Sequence, residues 1–451
     1  MSKIRPRLPH PSVAVPPALT HRPHVDVLPP IPEHPTSGLA PSQVRYGMRM
    51  SIGDGFFAQI FLTVTSGSLL TALLLFLGAT DFVLGLVTAL PVLAQLVQLP
   101  AAWMVERRGD RRAITVWSSL GRLFWLVPVA VLFIPMPVPW RLGLAVGSMG
   151  MAMGLLSIST NAWLSWMSDL IPAGLRGRFF GTRSMVLALV GMATSFLGGT
   201  LLDVTRGAGA PEFGFLALFG LACVAGLFST YFVSRQPEPA LKRAPSGRFG
   251  AMLIAPWRDR SFRAFILTLT IWSIGINIGA PFYSAQALKN LHMSYQELVT
   301  LDVVTAAVSL LSQPFWGRWS DRFGQRRVMQ WAMLGASPLA FTWLFATPST
   351  IWLLYLNNAA SGIFWPGLTL ALNNRLMERA PASGRGGYLA LYSAITGGMA
   401  FLASLAAGVV ANGLAGAELS LGPLVLNHYQ MLFFVAGVIR VGVVLTRRAS
   451  L

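Results

Sequence analysis

Apolar residues in this chain come in long runs, broken by short polar segments. Twelve runs can be marked, at about residues 50–77, 81–105, 113–135, 140–168, 179–203, 213–234, 263–288, 295–317, 327–347, 350–374, 386–412 and 424–446. Each is about as long as the ~20 residues a helix needs to cross a hydrocarbon core of about 30 Å. After the sixth run the chain reads "SRQPEPALKRAPSGRFGAMLIAPWRDRSF", a polar stretch carrying Pro and Arg. The pattern predicts an all-α membrane protein of twelve spanning helices in two six-helix bundles. The expected divisions are a first bundle over 46–234, a linker over 235–262 and a second bundle over 263–451. Residues 1–45, rich in Pro and without a signal-peptide-like apolar stretch, are expected to be a disordered tail.

Composition agrees. Of 451 residues, 54% are hydrophobic and 11% charged, against about 25% charged in soluble domains. A net charge of +18 would suggest nucleic acid, but the location of the cations excludes that reading. Arg107, Arg111, Arg112, Arg176, Arg178, Arg235, Arg258, Arg322, Arg326, Arg379, Arg385 and Arg447 all fall in loops on one side, whereas the other side holds Arg141, Arg206 and Lys289. This positive-inside bias puts both termini in the cytoplasm, and the expected location is a cell (inner) membrane. The lone cysteine, Cys223, allows neither an intramolecular disulfide nor a cysteine cluster. His10, His21, His24 and His34 match no metal-ligand spacing. Met149, Met151 and Met153 in "GSMGMAMG" are soft donors, but a spacing of two spreads them around a helix, so packing explains them better. No cofactor and no metal are expected.

The chain also repeats itself. "ERRGDRR" at 106–112 pairs with "DRFGQRR" at 321–327, "LGAT" at 77–80 with "LHMS" at 291–294, and "DLIPAGLRGRFF" at 169–180 with "ERAPASGRGGYL" at 378–389. The offsets are nearly constant and in chain order. Two homologous halves with a pathway between them is a transporter plan.

Gly317, Asp321, Arg322, Gly324, Arg326 and Arg327 fit the pattern Gly-x-x-x-Asp-Arg-x-Gly-x-Arg/Lys-Arg between the second and third spans of a half. On these residues the chain, over about 46–448, resembles the major facilitator superfamily. The first copy departs from the pattern, with Ala102, Glu106 and Asp110 in place of Gly, Asp and a basic residue. The resemblance implies a latch on the cytoplasmic side, closed when the transporter opens outward. Its expected members are Glu106, Arg107, Arg111, Asp169 and Arg176 in the first half, and Asp321, Arg322, Arg326, Glu378 and Arg385 in the second. Physically, carboxylates beside cations at a half-desolvated interface pair more strongly than at an open surface. Asp169 is the natural partner of Arg111, and Glu378 of Arg326.

The resemblance also places spans 1, 4, 7 and 10 around a cavity. Polar stripes on those helices supply candidates: Gln59 and Thr63, Asn161, Asn277 and Tyr283, Asn358 and Trp365, together with Tyr392. Ionisable residues within spans are scarcer. Asp54, Arg122 and Asp302 are the candidates for proton coupling, and Asp302 is also a cavity candidate. Departures in "LAVGSMGMAMG" and "TSFLGG" remove the local support for an antiporter.

The expected function is secondary active transport of a small organic molecule by alternating access, coupled to protons, by a monomer in the bilayer. The alternatives are an uncoupled facilitator, or a receptor or assembly factor that keeps the fold. No nucleophile arrangement or phosphate loop suggests an enzyme.

Overall fold

The computed structural model describes residues 39–97, 110–239, 257–379, 385–421 and 424–446. Glu106 and Arg107 lie outside these residues, as do positions 1–38 of the expected tail and the side chain of Arg385.

The first half opens with α1 (Pro41–Val64) and α2 (Gly67–Phe76), followed by α3 (Asp81–Leu96). Its third span is α4 (Arg111–Ser119), a 3₁₀ stretch (Leu120–Trp125) and α5 (Leu126–Ala130). Next come α6 (Val138–Leu170), α7 (Ala173–Gly207) and α8 (Pro211–Ser234). The second half contains α9 (Arg260–Gly279), α10 (Tyr283–Lys289), α11 (Tyr295–Phe323), α12 (Gln325–Ala336) and α13 (Leu339–Thr342). It ends with α14 (Trp352–Arg379), α15 (Arg385–Gly413), the antiparallel hairpin β1 (Glu418–Leu421) and β2 (Leu424–Asn427), and α16 (His428–Thr446). Among the described residues eight spans are long and apolar enough to cross a membrane, or nine when α1 and α2 are taken as one span bent by 42°. The other three runs form α3, the broken pair α12–α13, and α14 with its polar Asn357, Asn358 and Ser361.

Three boundaries differ from the expectation, each for a local reason. α1 starts inside the expected tail because Pro41 suits the first helical turn and the Ala40 amide donates to Gln43 Oε1 at 3.0 Å. The first run breaks at Thr65–Ser66. There the two hydroxyls donate to the Phe61 and Leu62 carbonyls at 2.8 and 2.6 Å, and Gly67 turns the chain with φ +59°. The last run begins as a strand, and α16 starts only where Asn427 and Gln430 bond each other's backbone amides at 3.0 Å.

The repeat is visible in the backbone. Gly78 (φ +88°) and His292 (φ +53°), second residues of the paired "LGAT" and "LHMS", both take left-handed conformations just before α3 and α11. Both halves also break their first span, between α1 and α2 and between α9 and α10. One buried apolar cluster joins Phe61, Leu73 and Phe219 of the first half to Phe282, Leu291 and Phe433 of the second. The linker does not begin cleanly at 235. Gln236 is fully buried, and Trp166 Nε1 donates to the Pro237 carbonyl at 2.9 Å, so this segment is clasped to the first half.

Candidate functional site

Two cavities lie between the halves. One, of about 290 Å³, is lined by Tyr283, Asp302, Trp343, Asn358, Trp365 and Arg440, among others. The other, of about 320 Å³, is lined by Gln59, Thr63, Gly191, Ser195 and Asp302. Gly67, Ser68 and Asp302 belong to both, so the two are lobes of one central space with Asp302 at their junction. The Asp302 side chain is wetted by that space and its hydrogen-bond partner is Ser68.

The kinks build this junction. α2, bent by 42° from α1, and α10, which follows the break after α9, bring Ser68 and Ser284 face to face with their hydroxyls 3.4 Å apart. Tyr283, the first residue of α10, stacks on Phe433 with ring centroids 4.6 Å apart and packs on Trp343 at 4.9 Å. In α1, Gln59 Nε2 donates to Thr63 Oγ1 at 3.1 Å, so the expected pair acts as one polar patch. Across the second-half lobe, Thr305 of α11 donates to Asn358 Oδ1 at 2.9 Å.

Three cavity candidates line neither lobe. The Asn277 amide turns back along its own helix, donating to the Ser273 carbonyl at 2.8 Å. Tyr392 packs against the apolar cluster of the second half. Asn161 sits half-buried on α6. The ionisable candidates separate in the same way. Asp54 is buried inside the first half, accepting from Ser229 at 2.5 Å and facing Arg183 Nη2 at 3.8 Å. Arg122 extends from the 3₁₀ stretch across to α8, donating to the Gly226 carbonyl at 3.1 Å and to Thr230 at 3.0 Å. Of the three, Asp302 alone lines the cavities.

Among the described latch residues, the ion pairs of Arg111 with Asp169 and of Glu378 with Arg375 each lie within one half. Arg111, fully buried, pairs with Asp169 at 2.6 Å within the first half. Glu238, just beyond α8, accepts the Arg111 and Arg112 backbone amides at 2.7 and 3.2 Å, capping the positive end of α4. Asp110, the departure from the family pattern, caps the same helix by accepting from the Ala113 amide at 2.8 Å. Arg176 Nε donates to the nearby Ile171 carbonyl at 3.1 Å. Glu378 pairs with Arg375 at 3.1 Å, one turn away on its own helix. Asp321, Arg322 and Arg326 are exposed.

The halves meet instead at the opposite end, where sequence reasoning had named no site. Asp81, at the start of α3, accepts from Tyr429 Oη at 2.5 Å and from Lys289 Nζ at 3.2 Å, and its second oxygen lies 3.2 Å from His428 Nε2. Asp203, near the end of α7, accepts the Tyr295 and Gln296 backbone amides at 3.0 and 2.7 Å, capping α11 across the interface. Close backbone approach goes with this clasp. A side chain at Gly85 of α3 would come within 2.6 Å of the Ser404 carbonyl of α15, and one at Gly199 of α7 within 3.0 Å of the Tyr295 carbonyl. In the sequence Lys289 reads only as topogenic, and an acid at a helix start or end gives no signal of its own until its partners are known.

Comparison with known proteins agrees with this architecture. Residues 267–447 match the Major Facilitator Superfamily. The chain is 30% identical over 164 residues to the tetracycline resistance protein, class E, of Escherichia coli, an alignment that covers 35% of this chain and 38% of that protein. The match therefore spans well under half of that relative. Among solved structures, the nucleoside transporter NupG superposes with a TM-score of 0.64 at 12% identity, covering 90% of this chain and 98% of that one. A D-xylose-proton symporter gives 0.64 at 14% identity, covering 89% and 97%. A bacterial homologue of the iron transporter ferroportin, in its inward-facing state, gives 0.63 at 11% identity, covering 90% and 97%.

Proposed function

We propose that the chain is a membrane transporter of the major facilitator superfamily, whose model matches residues 267–447, that it moves a small organic molecule by alternating access, coupled to protons at Asp302, and that it is seen here facing inward. The single observation behind this reading is the placement of Asp302. It is wetted, lies where the two lobes join, and sits between bundles whose named ion pairs and backbone contacts across the interface lie at the Asp81 end. In the positive-inside orientation that end faces outward. A carboxylate at such a junction can exchange a proton with one side at a time, and its charge can alter which state is favoured.

On this reading the bundles 46–234 and 263–451 rock about the central space. The charged loops carrying Arg111, Asp169, Arg326 and Glu378 approach one another only when the cavity opens outward, which accounts for the Arg111–Asp169 and Arg375–Glu378 pairs lying within single halves here. The nucleoside transporter and the xylose-proton symporter that share the fold support a small polar organic cargo and a proton as partner. The bacterial proteins with this fold also support an inner membrane.

The test is a thermal-stabilisation screen of the purified protein against nucleosides, pentoses and small organic acids, followed by proteoliposome uptake of the stabilising compound at two pH gradients. Uptake should follow the proton gradient in the wild type and lose that dependence in Asp302→Asn. Uptake that ignores the gradient in both would make the protein a facilitator. Stabilisation without flux, together with loss of a bound partner protein on deleting residues 1–45, would make it a receptor or assembly factor.

A further inference from the structure

Arg440 is 4% exposed, lies mid-way along α16, and lines the second-half lobe of the cavity. Its guanidinium lies 5.6 Å from the centre of the Trp272 ring and 6.0 Å from that of Trp365. One nitrogen donates to the Ala336 carbonyl, and Tyr283 lines the same lobe. Nε has no partner, and no carboxylate forms an ion pair with Arg440 among the described residues. The arginine is held firmly all the same. Its Cγ would lie 2.8 Å from a side chain at Gly275, and Ser337 donates to its carbonyl at 3.3 Å while accepting from Trp272 at 3.0 Å.

The first half shows what such an arginine needs. Arg122 crosses from the third span to Gly226 of the sixth, 5.7 Å from the ring centre of Phe61 on the first. Arg440 crosses from the twelfth span to Ala336 of the ninth, beside Trp272 on the seventh. The two arginines thus occupy matching crossings, supplied from opposite helices. Arg122 has Asp54 as a nearby counter-charge, a carboxylate it shares with Arg183. At the offset that pairs Ser68 with Ser284, the position matching Asp54 is Thr270, a neutral residue whose hydroxyl donates to the Ile266 carbonyl at 2.8 Å, so the second half supplies no carboxylate there. A desolvated guanidinium without a counter-charge is costly, and an anion is what relieves the cost.

We propose that Arg440 is an anion subsite, and that the transported molecule is a small organic anion whose carboxylate or phosphate pairs with this guanidinium while its body lies against Tyr283, Trp343 and Trp365. This rests on the transporter reading above and names the class of substrate. Planar aromatic walls and a forked donor suit a planar carboxylate best. The lobe of about 290 Å³ limits the cargo to a small molecule.

The tryptophans at the subsite provide the readout. Purified protein is titrated with benzoate, with its uncharged isostere benzamide, with inorganic phosphate and with chloride, following intrinsic fluorescence and thermal stability. Benzoate should bind at least about tenfold more tightly than benzamide, the scale of one charge-assisted pair. Arg440→Gln should remove that preference, whereas Arg440→Lys, which keeps the charge, should retain part of it. If Arg440→Gln does not fold, the Lys variant and the benzoate-to-benzamide ratio carry the test. Equal binding of benzoate and benzamide overturns the proposal, and so does a folded Arg440→Gln that keeps the preference. Binding of chloride or phosphate alone would mark an inorganic-ion site and overturn the organic cargo. Proteoliposome uptake of neutral compounds from the screen separates the two readings: if they are carried while benzoate fails to bind, the transporter stands and the anion subsite falls.

Discussion

Ser68 and Ser284 are 216 residues apart in sequence, yet their hydroxyls meet at 3.4 Å. The separation equals the repeat offset to within a residue or two, so a position of the first half touches its own counterpart in the second. Two equivalent points can touch only beside the axis that relates the halves. The contact therefore locates the pseudo-twofold and shows that α2 and α10 cross it. If the halves rock about the central space, this pair should separate and rejoin in each cycle. In a Cys223→Ser background, Ser68→Cys with Ser284→Cys should cross-link under mild oxidant. Flux should stop and return on reduction. Cross-linked protein that still transports at full rate would show that these helices stay together throughout.

On the alternating-access reading, the clasp at Asp81 belongs to the inward-facing state and opens in the other. Asp81 is 5% exposed, but the Lys289 side chain is 40% exposed, so the cluster is only partly desolvated. Asp81→Asn should weaken this state by about 1–2 kcal/mol, a shift of roughly 5- to 30-fold in population. The change can be read as faster labelling of a Ser284→Cys probe by an impermeant maleimide from the Asp81 side. Labelling that stays at the wild-type rate would mean that the apolar contacts around Phe282 and Phe433 hold the face shut without the ions.

Gly85 allows the same population to be moved without touching a charge. A Cβ there would meet the Ser404 carbonyl at 2.6 Å and the Gly408 Cα at 2.9 Å, both backbone atoms that cannot rotate away. Gly85→Ala should therefore hold α3 off α15 and speed labelling as Asp81→Asn does. It should do so at high salt too, where screening has already reduced the ionic contribution. If the two variants respond to salt alike, the steric account is wrong.

The sequence made the spans and the repeat legible because both depend on local composition. Runs near the length of a bilayer, and paired motifs such as "ERRGDRR" and "DRFGQRR", need no partner to be recognised. Kinks are harder to read, since Thr65 and Ser66 are polar residues that a spanning helix commonly accommodates, and only their hydroxyl bonds to the Phe61 and Leu62 carbonyls mark the break. The site was legible in part. Asp302 stands out because an acid is rare within such a run. Arg440 carries the same signal, a single cation in "FFVAGVIRVGV", but its meaning depends on the cavity beside it. Asp81, Asp203 and His428 were illegible, because each stands at a helix boundary where polar residues are ordinary and acquires meaning only from a partner in the other half.

Asp54 and Asp302 look alike as intramembrane carboxylates, but they sit in different surroundings. Asp54 is buried among groups of its own half, bonded to Ser229 at 2.5 Å and close to Arg183 at 3.8 Å, and its charge also serves Arg122. Removing it strands two buried guanidinium groups. Breaking one member of a buried ionic cluster costs about 3–5 kcal/mol, so Asp54→Asn should lower the thermal midpoint in detergent by several degrees. Asp54→Leu combined with Arg183→Leu removes one cation along with the carboxylate, and should lose less than Asp54→Asn alone. The proton-gradient dependence of uptake should persist in any folded Asp54 variant, because this carboxylate lines neither lobe. An Asp54→Asn protein that is as stable as the wild type but has lost its response to pH would reverse the assignment and make Asp54, rather than Asp302, the coupling group.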